Sequence, residues 1–198
     1  AIEATPYIAE TVRCINADLP KQIALIGFAG APFTLASYAI EGRGSRNYVE
    51  VKKMMHNRPD LWAQLMDKLV QQVVSYLQLQ ISAGVEAVQL FDTWVGNLSV
   101  QDYGTFVHPY LEKMLQLLGD TVPVIYFGTG NSHLLPSVST LPFDVLAFDW
   151  RTPLVRTLVL KPKTRRQYVG RIGQKPLKIA DQIDHVLPRD TPNLLWFL

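Results

Sequence analysis

The stretch "LIGFAGAPFTLASYAIEGRG", Leu25 to Gly44, begins as an unbroken apolar run and then passes through small residues and Pro32 to a phenol, Tyr38, and an acidic turn. Its opening belongs to "QIALIGF" (22–28), which reads as a strand covered on both faces. Ala31 to Ile40 then reads as a short helix. The same order recurs downstream: "EAVQLFD" (86–92), "VPVIYFG" (122–128) and "FDVLAFDW" (143–150) are three further strands, each preceded by helical sequence. Helices are expected at 5–17, with Pro20 ending the run, at Tyr48 to His56 and at Gln101 to Leu118, with a short helix or turn in "NSHLLPSVST". The longest, Pro59 to Ala83, carries Leu61, Trp62, Leu65, Met66, Leu69, Val73, Val74, Leu77 and Ile81 as one stripe and stops at Gly84. Strands alternating with helices define an α/β protein with buried parallel strands. Four strands suit a small open sheet or half of a (β/α)8 barrel, which needs eight strands and about 250 residues, and periodicity leaves both open.

With 198 residues and 48% apolar content, the chain is long enough for a sizeable core and too apolar for a disordered one. No apolar run approaches the roughly 20 residues of a membrane-spanning helix, and the first residues lack a basic stretch followed by an apolar one. A soluble, unsecreted protein with no membrane partner is the expectation. Cys14, the single cysteine, excludes an internal disulfide and a cysteine cluster for zinc. Charge is uneven: residues 1–154 hold 10 Lys and Arg against 14 Asp and Glu, and residues 155–198 hold 9 against 3. The basic tail has no nucleic-acid motif, so a solvated extension of unknown structure is expected there, and no nucleic-acid partner.

Polar chemistry gathers after three strands, in "GFAGAPFTLASY", "LFDTWVG" and "YFGTGNSH". Active sites of barrels and open α/β sheets lie at such strand ends. The first segment lacks the glycine patterns of nucleotide-binding loops. Asp92 and Thr93 end a strand on the side where ligands bind, where a carboxylate could take a proton and a hydroxyl could bond a substrate carboxylate; capping of free backbone amides is an equal reading. His133 reads as a surface residue at a helix start, and Trp94, Phe148 and Trp150 read as core. No G-x-S-x-G is present, and His56, His108, His133 and His185 show no metal-ligand spacing. No metal site is expected.

"GFAGAPFTLASYAIEGRGS" closely resembles the signature segment of the uroporphyrinogen decarboxylase family, and "QLFDTWVG", "PVIYFGTG" and "VLAFDWRTPL" continue the resemblance in order. It spans about residues 5–154. The resemblance implies a (β/α)8 TIM barrel, about half of it here (1–154), followed by a non-matching tail (155–198). It also implies a cytoplasmic or plastid homodimer that removes four acetate carboxyl groups from uroporphyrinogen III, without cofactor, in heme and chlorophyll synthesis. By resemblance Tyr38 is the catalytic and substrate-binding phenol, Phe28 and Phe91 line the pocket, and Thr93 stands where the family usually has serine. The family's N-terminal arginine pair and aspartate, and its "QGNLDP" and "GHG" strings, do not occur in these 198 residues. Negligible turnover by this chain alone is therefore the expectation. Two other readings remain at this stage: a related barrel methyltransferase, which needs Cys and His zinc ligands, and an inactive fragment or association module.

Overall fold

The computed structural model describes residues 6–149 and 151, together with two short strands further on, Tyr168–Ile172 and Asn193–Leu195. In chain order the elements are α1 (Pro6–Asp18), β1 (Ile23–Gly30), α2 (Pro32–Glu41), α3 (Val49–Asn57), α4 (Pro59–Ala83), β2 (Ala87–Asp92), α5 (Val100–Phe106), α6 (His108–Leu118), β3 (Val124–Gly128), α7 (Leu135–Val138), β4 (Val145–Asp149), β5 (Tyr168–Ile172) and β6 (Asn193–Leu195). Each of the four strands expected from sequence is present. Apart from the strands β5 and β6, the expected basic extension lies outside the described residues, as does Trp150.

The helices begin and end where local chemistry dictates. Proline at the first turn of α2 and α4 supplies the right φ at a position whose N–H has no helical partner. Gly84 stops α4 at φ 110°, a left-handed conformation that costs a side-chain-bearing residue far more. The buried stripe of α4 runs through Trp62, Met66, Val70, Val73, Val74, Leu77 and Gln80, slightly rotated from the expected one: Leu61 is exposed, and Val70 and Gln80 are buried. The expected single helix over 101–118 is two. Pro109 lacks the N–H that would bond the carbonyl of residue 105, and Val107 (φ −127°, ψ −52°) leaves helical geometry between α5 and α6. Ser99 caps α5, its Oγ accepting the Asp102 N–H at 3.0 Å.

All strands pair in parallel, in the order β5-β4-β3-β2-β1-β6. Register places Phe28 opposite Gln89, Gln89 opposite Ile125, and Ile125 opposite Val145. The two sheet faces differ. Leu25, Val88, Leu90, Val124, Tyr126, Leu146 and Phe148 share one large core with the buried residues of the helices, while Ala24, Ile26, Ala87, Ile125, Val145 and Ala147 form a separate cluster made wholly of strand residues. Among the described residues, helices therefore cover one face only. A doubly wound open sheet has helices on both faces, whereas a barrel keeps them outside and turns the other face inward. The alternative that periodicity left open resolves toward a barrel segment. Within the described residues no helix is long and apolar enough to cross a membrane.

Candidate active site at the strand ends

Because neighbouring strands are parallel, the C-terminal ends of β1, β2 and β3 lie side by side. Alternation puts Phe28, Phe91 and Phe127 on the inner face, and their rings form a row: Phe28 to Phe91 at 5.9 Å and 87°, Phe91 to Phe127 at 5.9 Å and 75°. These edge-to-face contacts hold each ring's orientation. Phe28 remains 40% exposed, so the row ends in an open apolar wall. The peptide of Phe28 is held from the helix side by Gln80 of α4: the Gln80 Oε1 accepts the Phe28 N–H at 3.0 Å, and its Nε2 donates to the Phe28 carbonyl at 3.0 Å. A buried side-chain amide thus does the work of a neighbouring strand at the edge of β1.

Tyr38, near the C-terminal end of α2, is 47% exposed. Its ring meets Trp94 edge to face at 5.9 Å, and Trp94 leans on Tyr48 at 5.5 Å. Trp94 is half-buried, part of the site's edge as much as of the core. Thr93, also half-buried, lies between Phe91 and Trp94 in sequence, and its carbonyl accepts the Thr129 hydroxyl from the loop after β3. That close approach of loops needs Gly96: a Cβ there would sit 2.3 Å from the Thr129 carbonyl oxygen. The structure thus brings Phe28 and Phe91 together, sets Thr93 on the adjoining loop and joins Tyr38 to the loop through Trp94.

The two strand-end aspartates have opposite environments. Asp92 alternates away from the inner face and is fully buried against the helices, where its carboxylate accepts the Thr34 hydroxyl at 3.0 Å and the Tyr126 hydroxyl at 2.8 Å. Burial pushes its carboxyl up to about 6, although both hydroxyl bonds pull it down. The expectation that Asp92 faces the ligand side is corrected: one residue beyond Phe91, the two-residue period of the strand turns it to the opposite face. Burial also raises Asp149, but its bonds from Arg151 and the Gly130 N–H outweigh this and hold it below the usual carboxylate range. Asp149 thereby ties the loop after β3 to the end of β4.

Other candidates separate from this site. His133 is exposed and its Nε2 lies 2.8 Å from the Leu98 carbonyl oxygen, tying a loop. Cys14 is exposed on α1, and Phe148 is 1% exposed in the helix-side core. Three residues escaped sequence reasoning. Phe127 follows from carrying the alternation of Phe28 and Phe91 one strand further. Gln80 and Gln89 are polar residues at positions where helical and strand periods demand apolar ones, a signal that composition hides. Gln89 is wholly buried on the inner face, and neither polar atom of its amide has a hydrogen-bond partner among the described residues.

A one-sided parallel sheet with aromatic and hydroxyl side chains at its strand ends defines a segment of a β/α-barrel protein. Comparison with known proteins makes the class specific. The sequence model of the uroporphyrinogen decarboxylase family matches residues 1–174, and the chain belongs to that family. It is 47% identical over 150 residues to the uroporphyrinogen decarboxylase of Koribacter versatilis, covering 75% of this chain and 43% of that protein. The enzyme of Oceanobacillus iheyensis is 44% identical over 154 residues, covering 77% and 44%. That of Bacillus mycoides is 47% identical over 150 residues, covering 75% and 43%. The chain spans less than half the length of these relatives. Among solved structures, a methyltransferase from Methanosarcina mazei superimposes with a TM-score of 0.73 at 17% identity, covering 96% of this chain and 57% of that one, a likeness of fold alone.

Proposed function

We propose that this chain carries the pocket wall and the phenol of a uroporphyrinogen decarboxylase, a carboxy-lyase of tetrapyrrole synthesis acting on uroporphyrinogen III without cofactor. The observation that carries the reading is the row of Phe28, Phe91 and Phe127 at the strand ends, with Thr93 on the adjoining loop and Tyr38 half-exposed beside it. An open aromatic wall suits the apolar pyrrole faces of a macrocycle whose rings are joined by methylene bridges. In the reaction, protonation of a pyrrole carbon makes the ring an electron sink. The bond to the acetate carboxylate breaks toward it, carbon dioxide leaves, and the methylene takes a proton to become methyl while the ring carbon returns its own. The protein's part is to desolvate, orient and place donors. Tyr38 is the catalytic donor at the reacting acetate, Thr93 bonds a substrate carboxylate, and Phe28 and Phe91 hold the ring. The working form is a homodimer.

The test is a chimera in which residues 6–149 replace the matching segment of the Bacillus mycoides enzyme. The chimera is expected to convert uroporphyrinogen to coproporphyrinogen, and Tyr38→Phe within it to lower kcat at least tenfold. A folded chimera without turnover, or one indifferent to Tyr38→Phe, would sink the reading. The 198 residues alone are expected to show negligible turnover, since the carboxylate-binding arginines of the family do not occur in them.

A further inference from the structure

The proposed reaction gives Asp92 no part, yet Asp92 is a fully buried carboxylate directly behind the site. Its Oδ1 receives the Thr34 hydroxyl at 3.0 Å and its Oδ2 the Tyr126 hydroxyl at 2.8 Å, joining β2 to α2 on one side and to β3 on the other. Thr34 and Tyr38 are four residues apart on α2, hence on one face of the helix, one turn from each other. The Trp94 backbone N–H reaches the Thr34 Oγ1 at 3.5 Å, and the Trp94 ring packs against Tyr38. Both neighbours of the phenol, its own helix and the ring against it, are therefore referred to the Asp92–Thr34 pair.

We propose that Asp92 is a positioning residue for Tyr38: through Thr34 it fixes the turn of α2 that presents the phenol, and loss of its charge or of the Thr34 hydroxyl displaces the phenol. The inference deepens the proposed function and rests on Tyr38 being the site's phenol. It involves no contact between Asp92 and substrate. A carboxylate suits this role because it accepts from both hydroxyls at once, and a charge-assisted bond is stronger and geometrically stricter than a neutral one. Protonation removes the charge, so the position of α2 follows the proton on Asp92. The groups facing that proton are Thr34 from α2, Tyr126 from β3 and Tyr103 from α5. Burial raises both tyrosines above the ordinary phenol range, so they stay neutral while Asp92 titrates. Behind Tyr103 lies the ring of His108 of α6, at 6.0 Å.

The experiment uses the whole 198-residue chain labelled with 3-fluorotyrosine, with the Tyr38 and Tyr126 resonances assigned by Tyr38→Phe and Tyr126→Phe and followed by fluorine NMR from pH 4.5 to 7.5. Both resonances are expected to shift together with one midpoint in the parent protein and in His108→Gln, and neither to shift in Asp92→Asn. In Thr34→Val the Tyr126 resonance keeps its titration and the Tyr38 resonance loses it; Thr34→Ser restores the Tyr38 shift. A Tyr38 resonance that is flat in the parent protein, or that titrates as fully in Thr34→Val, overturns the proposal, because a purely through-space field would not need the hydroxyl. Should Thr34→Val not fold, the same comparison is made between Thr34→Ala and Thr34→Ser. No arm uses porphyrin or turnover, so failure here leaves the decarboxylase reading standing, and failure of the chimera leaves this result standing.

Discussion

Two buried glutamines, Gln80 and Gln89, nine residues apart and chemically identical, are expected to respond to the same substitution with opposite sign. Gln80 spends both polar atoms on the peptide of Phe28. Gln80→Met keeps the length and the unbranched stem but strands the Phe28 N–H and carbonyl. An unsatisfied buried polar group costs about 1–3 kcal/mol, and the Phe28 peptide is part-buried, so two of them near the low end give a loss of about 2–3 kcal/mol. Gln89 has no bonds to lose among the described residues, and both its polar atoms are buried. Gln89→Met removes their desolvation cost and puts a flexible apolar stem beside Ile125 and Phe28, for a gain of about 1–2 kcal/mol. Urea unfolding of the three proteins at one pH, fitted with a common m-value, reads both numbers. Hydrogen exchange at the Phe28 amide adds a local check, since only Gln80→Met should speed it. Loss in both variants, or a change below about 0.5 kcal/mol in Gln80→Met, would refute the reasoning that pairing, and not burial of the amide, decides the sign.

Stability should depend on pH through Asp92. Its folded pKa of about 6 lies above the unfolded value near 4, so the folded state holds the proton longer; stability is full below about pH 4, falls as pH rises through 6 and is level above, by about 3 kcal/mol in all. Asp92→Asn should flatten this part of the curve in urea titrations between pH 4 and 8, and parallel curves for the two proteins would rule the linkage out. Gly96→Ala should cost about 1–3 kcal/mol, because the new methyl meets backbone of the loop after β3 and not a yielding side chain. Faster amide exchange at residues 129–131 would accompany the loss; unchanged stability would mean that the loops part without strain.

What the sequence disclosed, and what it hid, follows from which interactions are local. The strands, α2 and α4 were legible because their signals are periodic or lie at their own ends: the run Leu25–Phe28, Pro32, Pro59, Gly84. The split of Gln101–Leu118 was available in Pro109, but the apolar spacing across it outweighed one proline. The choice between open sheet and barrel was not legible, because it depends on which face of each strand the helices cover, and near-continuous apolar strands read the same from both sides. Strand β5 escaped notice because "YVGRI" carries a glycine and a charge, and β6 because three residues make no pattern.

The site shows the same division more sharply in Asp92 and Thr93. Sequence placed both at a strand end and could not divide catalysis from capping between them, since adjacent residues share every local signal. The two-residue period separates them: Phe91 turns inward to the aromatic wall, Asp92 turns outward to Thr34 and Tyr126, and Thr93 begins the loop. An acid at a strand end in this fold is therefore read first by its parity. Counted from Phe91, an odd step places a carboxylate among the helices, where it accepts the Thr34 and Tyr126 hydroxyls. Counted likewise from Ala147 on β4, an even step places Asp149 on the inner side, where Arg151 and the Gly130 N–H keep it charged. Parity thus separates the two acids by face: Asp92 meets Thr34 and Tyr126 on the helix side, while the inner side beside Phe91 holds no carboxylate of β2.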